Sequence, residues 1–183
     1  MMGTSDSRQF ASIVLPYLDE AYSLARWLMG GDSSAEDVVQ EAMLRALTYF
    51  RTFKGQNPRA WILQIVRNVA YATLRERQRG PVAPPMHRNE TDANADEQSE
   101  FSAFVDPGPN PETLMAAAQQ RSRLNAALAE LPLVVRECLV LHELHDCSYR
   151  EIASITDVPI GTVTSRIWRG RRMLAKLLAD AEQ

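Results

Sequence analysis

Cysteine, glycine and aromatic residues are scarce: of 183 residues 2 are Cys and 8 are Gly, and Phe, Trp and Tyr together make up 7%. Two cysteines cannot build a disulfide framework, and they suit a reducing compartment. No stretch approaches the roughly 20 apolar residues that a membrane span requires. The start, MMGTSDSRQF, lacks the basic-then-apolar order of a secretory signal. The expectation is a cytoplasmic chain with no direct membrane insertion. A glycine-rich phosphate loop, a nucleophile elbow and a paired His-Glu metal motif are also missing. Nothing therefore points to an enzyme, to catalytic or metal-ligating residues, to a cofactor or to a small-molecule substrate.

Strong net charge is lacking too, at -3, which argues against a free-standing, tight DNA binder, because non-specific affinity comes mainly from Lys and Arg on phosphates. The distribution says more than the sum. Residues 1–78 carry nine basic and eight acidic side chains, residues 79–112 two and seven, and residues 113–183 nine and eight. The acid lies in RGPVAPPMHRNETDANADEQSEFSAFVDPGPNPE, rich in Pro, Asn, Asp and Glu and without a sustained apolar period. Such a segment reads as a flexible acidic linker, 79–112, between two helical domains, 1–78 and 113–183.

What is present is helical periodicity. Upstream, three helices are expected. Apolar residues recur at helical spacing from Phe10 to Met29, ended by Gly30 and Gly31; Ser33 with Glu36 forms a capping box for a second helix to about Arg51; Asn57 caps a third, Pro58 to about Gln78. On the third, Ile62, Ile65, Val66, Val69 and Thr73 share one face. Gln64, Arg67, Asn68, Tyr71 and Arg75 lie opposite, and the expectation is that they look outward.

Downstream four helices are expected, at about 111–129, 132–145, 149–156 and 160–179. Ser148 with Glu151 is a second capping box and DVPI a tight turn before the last helix, which together read as a helix-turn-helix. In the last helix Ile160, Val163, Ile167, Gly170, Leu174 and Leu177 fall on one side, with Thr162, Ser165, Trp168, Arg169 and Arg172 on the other. A face of hydroxyls, arginines and one aromatic suits a major groove, where Arg grips guanine O6 and N7 while hydroxyls and aromatic edges meet phosphates and thymine methyls. The fold class is thus all-α.

Taken together, SAEDVVQEAMLRALTYFRTFKGQNPRAWILQIVRNVAYATLRER resembles region 2, and LPLVVRECLVLHELHDCSYREIASITDVPIGTVTSRIWRGRRML region 4, of the small extracytoplasmic-function sigma factors of bacterial RNA polymerase. The two stretches cover about half the chain, in the family's order. The resemblance implies a region-2 unit of three helices and a region-4 unit of four, with core RNA polymerase and promoter DNA as partners and control by an anti-sigma factor. It implies polymerase binding by Asp37, Gln40, Glu41 and Leu44. Minus-10 recognition and melting would fall to Gln64, Arg67, Asn68, Tyr71 and Arg75, and Trp61, at the border of the apolar face, is assigned to the core. The minus-35 contacts map onto Thr162, Thr164, Ser165, Trp168 and Arg169, with Arg166 and Arg172 as phosphate neighbours.

Other readings stand beside this one. Cys138, His142, His145 and Cys147 carry zinc-type ligand chemistry, but Cys138 sits in the apolar run CLVL and the spacing matches no standard zinc module. The terminal helix-turn-helix also fits an ordinary transcription regulator, which would need a ligand pocket, a dimer helix or a phosphoacceptor. A polymerase-binding decoy would bind core without opening promoters.

Overall fold

The computed structural model describes residues 4–30, 32–79 and 111–180. Among them no strand occurs, and the fold is all-α. The segment expected to act as a linker lies almost wholly outside the described residues.

The first unit holds four helices rather than three. Helix α1 (Thr4–Val14) and helix α2 (Leu18–Met29) are separated by a 3-10 turn, Leu15–Tyr17. The periodicity runs unbroken across this point, but Pro16 cannot donate a backbone hydrogen bond and its ring displaces the preceding turn. Helix α2 ends as expected: Gly30, at φ 74°, donates its N–H to the Arg26 carbonyl at 2.9 Å, a left-handed cap that glycine adopts without a Cβ penalty. Helix α3 spans Asp32–Tyr49 and a 3-10 turn, Phe50–Thr52, follows. The Ser33–Glu36 pair thus falls inside the first turn of α3, and the Ser33 side chain lies outside the described residues.

Helix α4 (Pro58–Arg79) starts where expected, with Asn57 Oδ1 accepting the Ala60 N–H at 3.0 Å. Ala21, Leu24, Ala25 and Leu28 of α2, Ala35, Val38, Ala42 and Ala46 of α3, and Ile62, Leu63, Val66, Val69 and Ala70 of α4 are buried together. The alanines let the three helix axes approach closely, and each large apolar side chain contributes roughly 1.5–3 kcal/mol by leaving water. Phe53 lies 4.8 Å from Trp61, which packs on the edge of this core.

The second unit has the four helices expected: α5 (Pro111–Glu130), α6 (Leu133–Glu143), α7 (Tyr149–Thr156) and α8 (Ile160–Asp180). The box at the start of α7 is complete. Glu151 N–H donates to Ser148 Oγ at 3.3 Å, and Ser148 N–H donates back to Glu151 Oε2 at 2.9 Å. These bonds hold the Glu151 carboxyl below its ordinary range, the backbone bond most strongly. Asp157, at φ 55°, closes α7, and its N–H returns to the Ala153 carbonyl. Helix α8 crosses α6 at Gly170, where an added Cβ would come within 3.0 Å of Val135 Cγ1 and 3.5 Å of Leu139 Cδ2. Val163, Ile167 and Gly170 are buried, with Leu174 and Leu177 half-buried. Ile160, assigned by its spacing to the same side, is 47% exposed, because at the first helical position it lies beyond the neighbouring helices.

The two units pack on each other, α4 lying on α7 and α2 on α6. Polar side chains cross the boundary. Asn57 Nδ2 donates to Glu151 Oε1 at 3.2 Å, Arg136 Nη1 to the Trp27 carbonyl at 3.1 Å, and Arg59 to the His145 carbonyl while also pairing with Glu20 at 2.7 Å.

Candidate nucleic-acid interface

The first candidate face lies on α8, presented by the capped α7 and the Asp157 turn. Thr164, Ser165, Trp168, Arg169 and Arg172 are exposed along it, and Thr162 is half-buried. Trp168 is 61% exposed, and the Arg172 guanidinium sits 4.6 Å over its ring, a cation–π pair one helical turn apart that fixes both groups in solvent. Thr164 Oγ1 donates to the Ile160 carbonyl at 3.0 Å and Ser165 Oγ to the Thr162 carbonyl at 2.9 Å. Each hydroxyl proton is thereby engaged while its oxygen can still accept. Arg166 belongs elsewhere. Grouped with this face as a phosphate neighbour, it instead turns inward on the same helix, 21% exposed, with Nη1 3.5 Å from Glu137 Oε1.

The second face, on α4, is not turned outward as its pattern suggested. Asn68 and Arg75 are exposed, but Gln64, Arg67 and Tyr71 point at the second unit. Gln64 Nε2 donates to the Ser154 carbonyl at 3.2 Å. Arg67 donates to both carboxylate oxygens of Glu137, Nε at 2.9 Å and Nη2 at 3.3 Å. Its guanidinium lies 4.5 Å over the Tyr71 ring, and the Tyr71 hydroxyl donates to Glu137 Oε2 at 2.9 Å. Burial, then the adjacent Glu137 charge, raise the Tyr71 phenol well above its ordinary 10. Burial, the largest single effect, would lower Arg67, but its hydrogen bond to the Glu137 carboxylate, the Glu137 charge and the contacts with Tyr71 together outweigh this and the guanidinium is raised. The physical reason for the inward turn is amphipathicity on two sides: α4 has one apolar face for its own core and a second, polar face that meets α6 and α7.

Glu137 is the residue that sequence reasoning missed. Its side chain is 0% exposed, and it collects Arg67, Tyr71 and Arg166 from two helices of different units. The available signal was a single carboxylate at the edge of the apolar run CLVL, where a charge stays buried only if paired.

On α3, Asp37, Gln40, Glu41 and Leu44 form one exposed stripe at spacings of three and four. Glu41 accepts from Arg45 at 2.7 Å, and Leu44 is 62% exposed at the stripe's end. An apolar side chain flanked by carboxylates suits a mixed, partly basic protein surface.

Cys138 and Cys147 are both free and buried, and desolvation pushes each thiol up to about 11. His142 Nδ1 is 3.0 Å from the Cys147 carbonyl and its ring meets Tyr149 edge-on at 4.9 Å. Among the described residues no three or more His, Cys, Asp or Glu side chains gather as a metal-holding group.

Residues 13–80 match the family model for Sigma-70 region 2, and residues 121–174 match that for Sigma-70, region 4. The chain is 30% identical to the ECF RNA polymerase sigma factor SigW of Bacillus subtilis, over 96% of this chain and 91% of that protein. It is 33% identical to the ECF RNA polymerase sigma-E factor of Escherichia coli K12, over 92% and 86%. Among solved structures, the sigma factor RpoE in complex with the anti-sigma factor NepR from Bartonella quintana matches with a TM-score of 0.67 at 25% identity, covering 94% of this chain and 98% of that one. CnrH in complex with the cytosolic domain of CnrY shares the fold, with a TM-score of 0.65 at 23% identity.

Proposed function

From the premise that the chain belongs to the sigma-70 family of RNA polymerase sigma factors, in its extracytoplasmic-function group, we propose a division of labour among its helices. The chain binds core RNA polymerase and directs promoter-specific initiation. Residues 1–78 dock on the polymerase and recognise and melt the minus-10 element; residues 113–183 recognise the minus-35 element, with 79–112 joining them. The stripe Asp37, Gln40, Glu41 and Leu44 is the polymerase contact. Thr164, Ser165, Trp168, Arg169 and Arg172, with Thr162 at the edge, face the minus-35 major groove. Gln64, Arg67, Asn68, Tyr71 and Arg75 supply phosphate neutralisation and stacking for bases extruded at the minus-10 element, at roughly 1–3 kcal/mol per stacked base.

The observation that carries this reading is the free polar face of α8 behind a fully capped α7, in a chain that also matches region 2. Neither DNA-binding unit is strongly basic, so tight binding needs both sites engaged at once, with core polymerase fixing their spacing. The chain contributes no catalytic group of its own; the polymerase carries the chemistry, and the chain acts beside it in the cytoplasm. No helix among the described residues is long and apolar enough to cross a membrane. Control by an anti-sigma factor follows from the likeness to RpoE, which NepR binds.

Sequencing the 5′ ends of transcripts made by purified core polymerase on sheared genomic DNA, with and without this protein, tests the proposal. New starts sharing two upstream motifs at fixed spacing are expected. Core binding without new starts would instead make the chain a decoy, and absence of core binding would return it to the ordinary helix-turn-helix regulators.

A further inference from the structure

The most heavily buried charge among the described residues belongs to none of the three surfaces just assigned. The Glu137 side chain is 0% exposed and faces Arg67 and Tyr71 from α4 and Arg166 from α8. Arg67 grips both carboxylate oxygens, the forked geometry that a guanidinium also uses on phosphate. From this we infer that Glu137 is an intramolecular stand-in for a DNA phosphate, which joins the two units through Arg67 and Tyr71 and withdraws Arg67 from nucleic acid until DNA displaces it. The inference rests on the promoter-binding reading and deepens it.

Three features suit a contact made to open. Among the described residues, the hydrogen bonds between the units from Asn57, Arg59, Gln64, Arg67, Tyr71 and Arg136 use side chains that water can satisfy once the units part, beside buried apolar residues of both units that share one core cluster. A buried ion pair contributes little net stability, because desolvation offsets attraction, yet removing one partner strands the other. The ion pair therefore makes closure specific more than it makes it strong. Finally, closure hides Gln64, Arg67 and Tyr71 but leaves Arg169, Arg172, Asn68 and Arg75 exposed, so DNA can engage the open positions first and then compete for the covered ones.

The closed state lowers apparent DNA affinity by the fraction of molecules that are open. Substituting Glu137→Gln keeps the size of the side chain and deletes the charge, and Glu137 touches no DNA in either state. The test uses the full chain and a duplex carrying the two motifs recovered from transcript mapping. Binding is followed by fluorescence anisotropy and overall size by small-angle X-ray scattering. E137Q is expected to expand without DNA and to bind the duplex about tenfold more tightly than wild type. Equal size and equal affinity in the two chains overturn the inference, as does expansion without a gain in affinity. Helix content by circular dichroism identifies a variant that has failed to fold. In that event wild-type scattering decides alone: expansion on adding the duplex supports the inference, and a complex as compact as the free chain overturns it. Initiation with core polymerase is assayed in parallel, and its loss in wild type strikes the sigma reading rather than the latch.

Discussion

Helices α4 and α8 carry polar faces of much the same chemistry, arginines beside an aromatic ring at helical spacing, and both contain a stacked arginine, Arg67 on Tyr71 and Arg172 on Trp168. Their surroundings are opposite. Arg67 is 16% exposed and bound to a carboxylate of the other unit, whereas Trp168, Arg169 and Arg172 stand in solvent. A polar stripe on an amphipathic helix shows which side does not enter the helix's own core. Whether water, DNA or another unit covers that side is a matter of partners distant in sequence, and here a single glutamate 70 residues from Arg67 makes the difference.

The contrast can be broken at several points. Leu63→Ala removes a fully buried side chain from the core face of α4, and unfolding in urea should show a loss of about 2–5 kcal/mol. Leu177→Ala, on the half-buried side of α8, should cost about 1 kcal/mol, because less area returns to water. Gly170→Val should drive α8 off α6, given the 3.0 Å approach of Val135 Cγ1. A loss of about 1–3 kcal/mol, read by thermal melting, is expected from such overpacking, and minus-35 binding should weaken with it as the reading helix shifts.

Arg169→Ala sharpens the comparison. Exposed on α8, it should leave stability within about 0.5 kcal/mol of wild type while weakening minus-35 binding by about 1–3 kcal/mol in a gel-shift series. Polymerase binding should be unchanged; loss of both would remove Arg169 from the recognition face. A change to Asp37 or Leu44 should do the converse, abolishing holoenzyme formation first.

A further effect concerns pH. His145 lies buried at the boundary between the units, facing Glu20 on α2, Arg59 on α4 and its neighbour Asp146, and its Nε2 has no hydrogen-bond partner. Desolvation, helped by Arg59 and opposed by Glu20 and Asp146, holds its pKa below the ordinary 6.5. Below 6.5 the unfolded chain therefore takes up a proton that the folded chain refuses. Stability is complete above that pH and falls as pH drops beneath it, by at most about 1.4 kcal/mol per pH unit. Urea midpoints at pH 7.5 and 5.5 should differ in wild type and converge in His145→Gln. Glu151, held low, adds its own loss only below its ordinary 4.5, outside that window.

Much of the fold was legible because its signals are local. The Asn57 cap, the Ser148–Glu151 box, the glycine stop at Gly30 and the turn at Asp157 each involve residues within a few positions of one another. The break at Pro16 was missed, because the apolar spacing runs unbroken across it. The exposed positions on α8 followed from helical period, and those on α3 from the family resemblance. Arg166 did not: between Ser165 and Ile167 its direction is ambiguous by period, and Glu137 settles it. Trp61 went to the core edge because its ring found Phe53.

By itself, then, the sequence determined that this protein is all-α, where most of its helices start and stop, which family it resembles and which residues are free of each helix's own core, since these depend on backbone geometry and apolar period within one segment. Tertiary structure alone decided that the α4 face turns inward, that Arg166 leaves the α8 face, and that Glu137 holds one arginine from each unit. Each of these depends on a charge that tolerates burial only when partners from other helices converge on it, and no local pattern encodes that convergence.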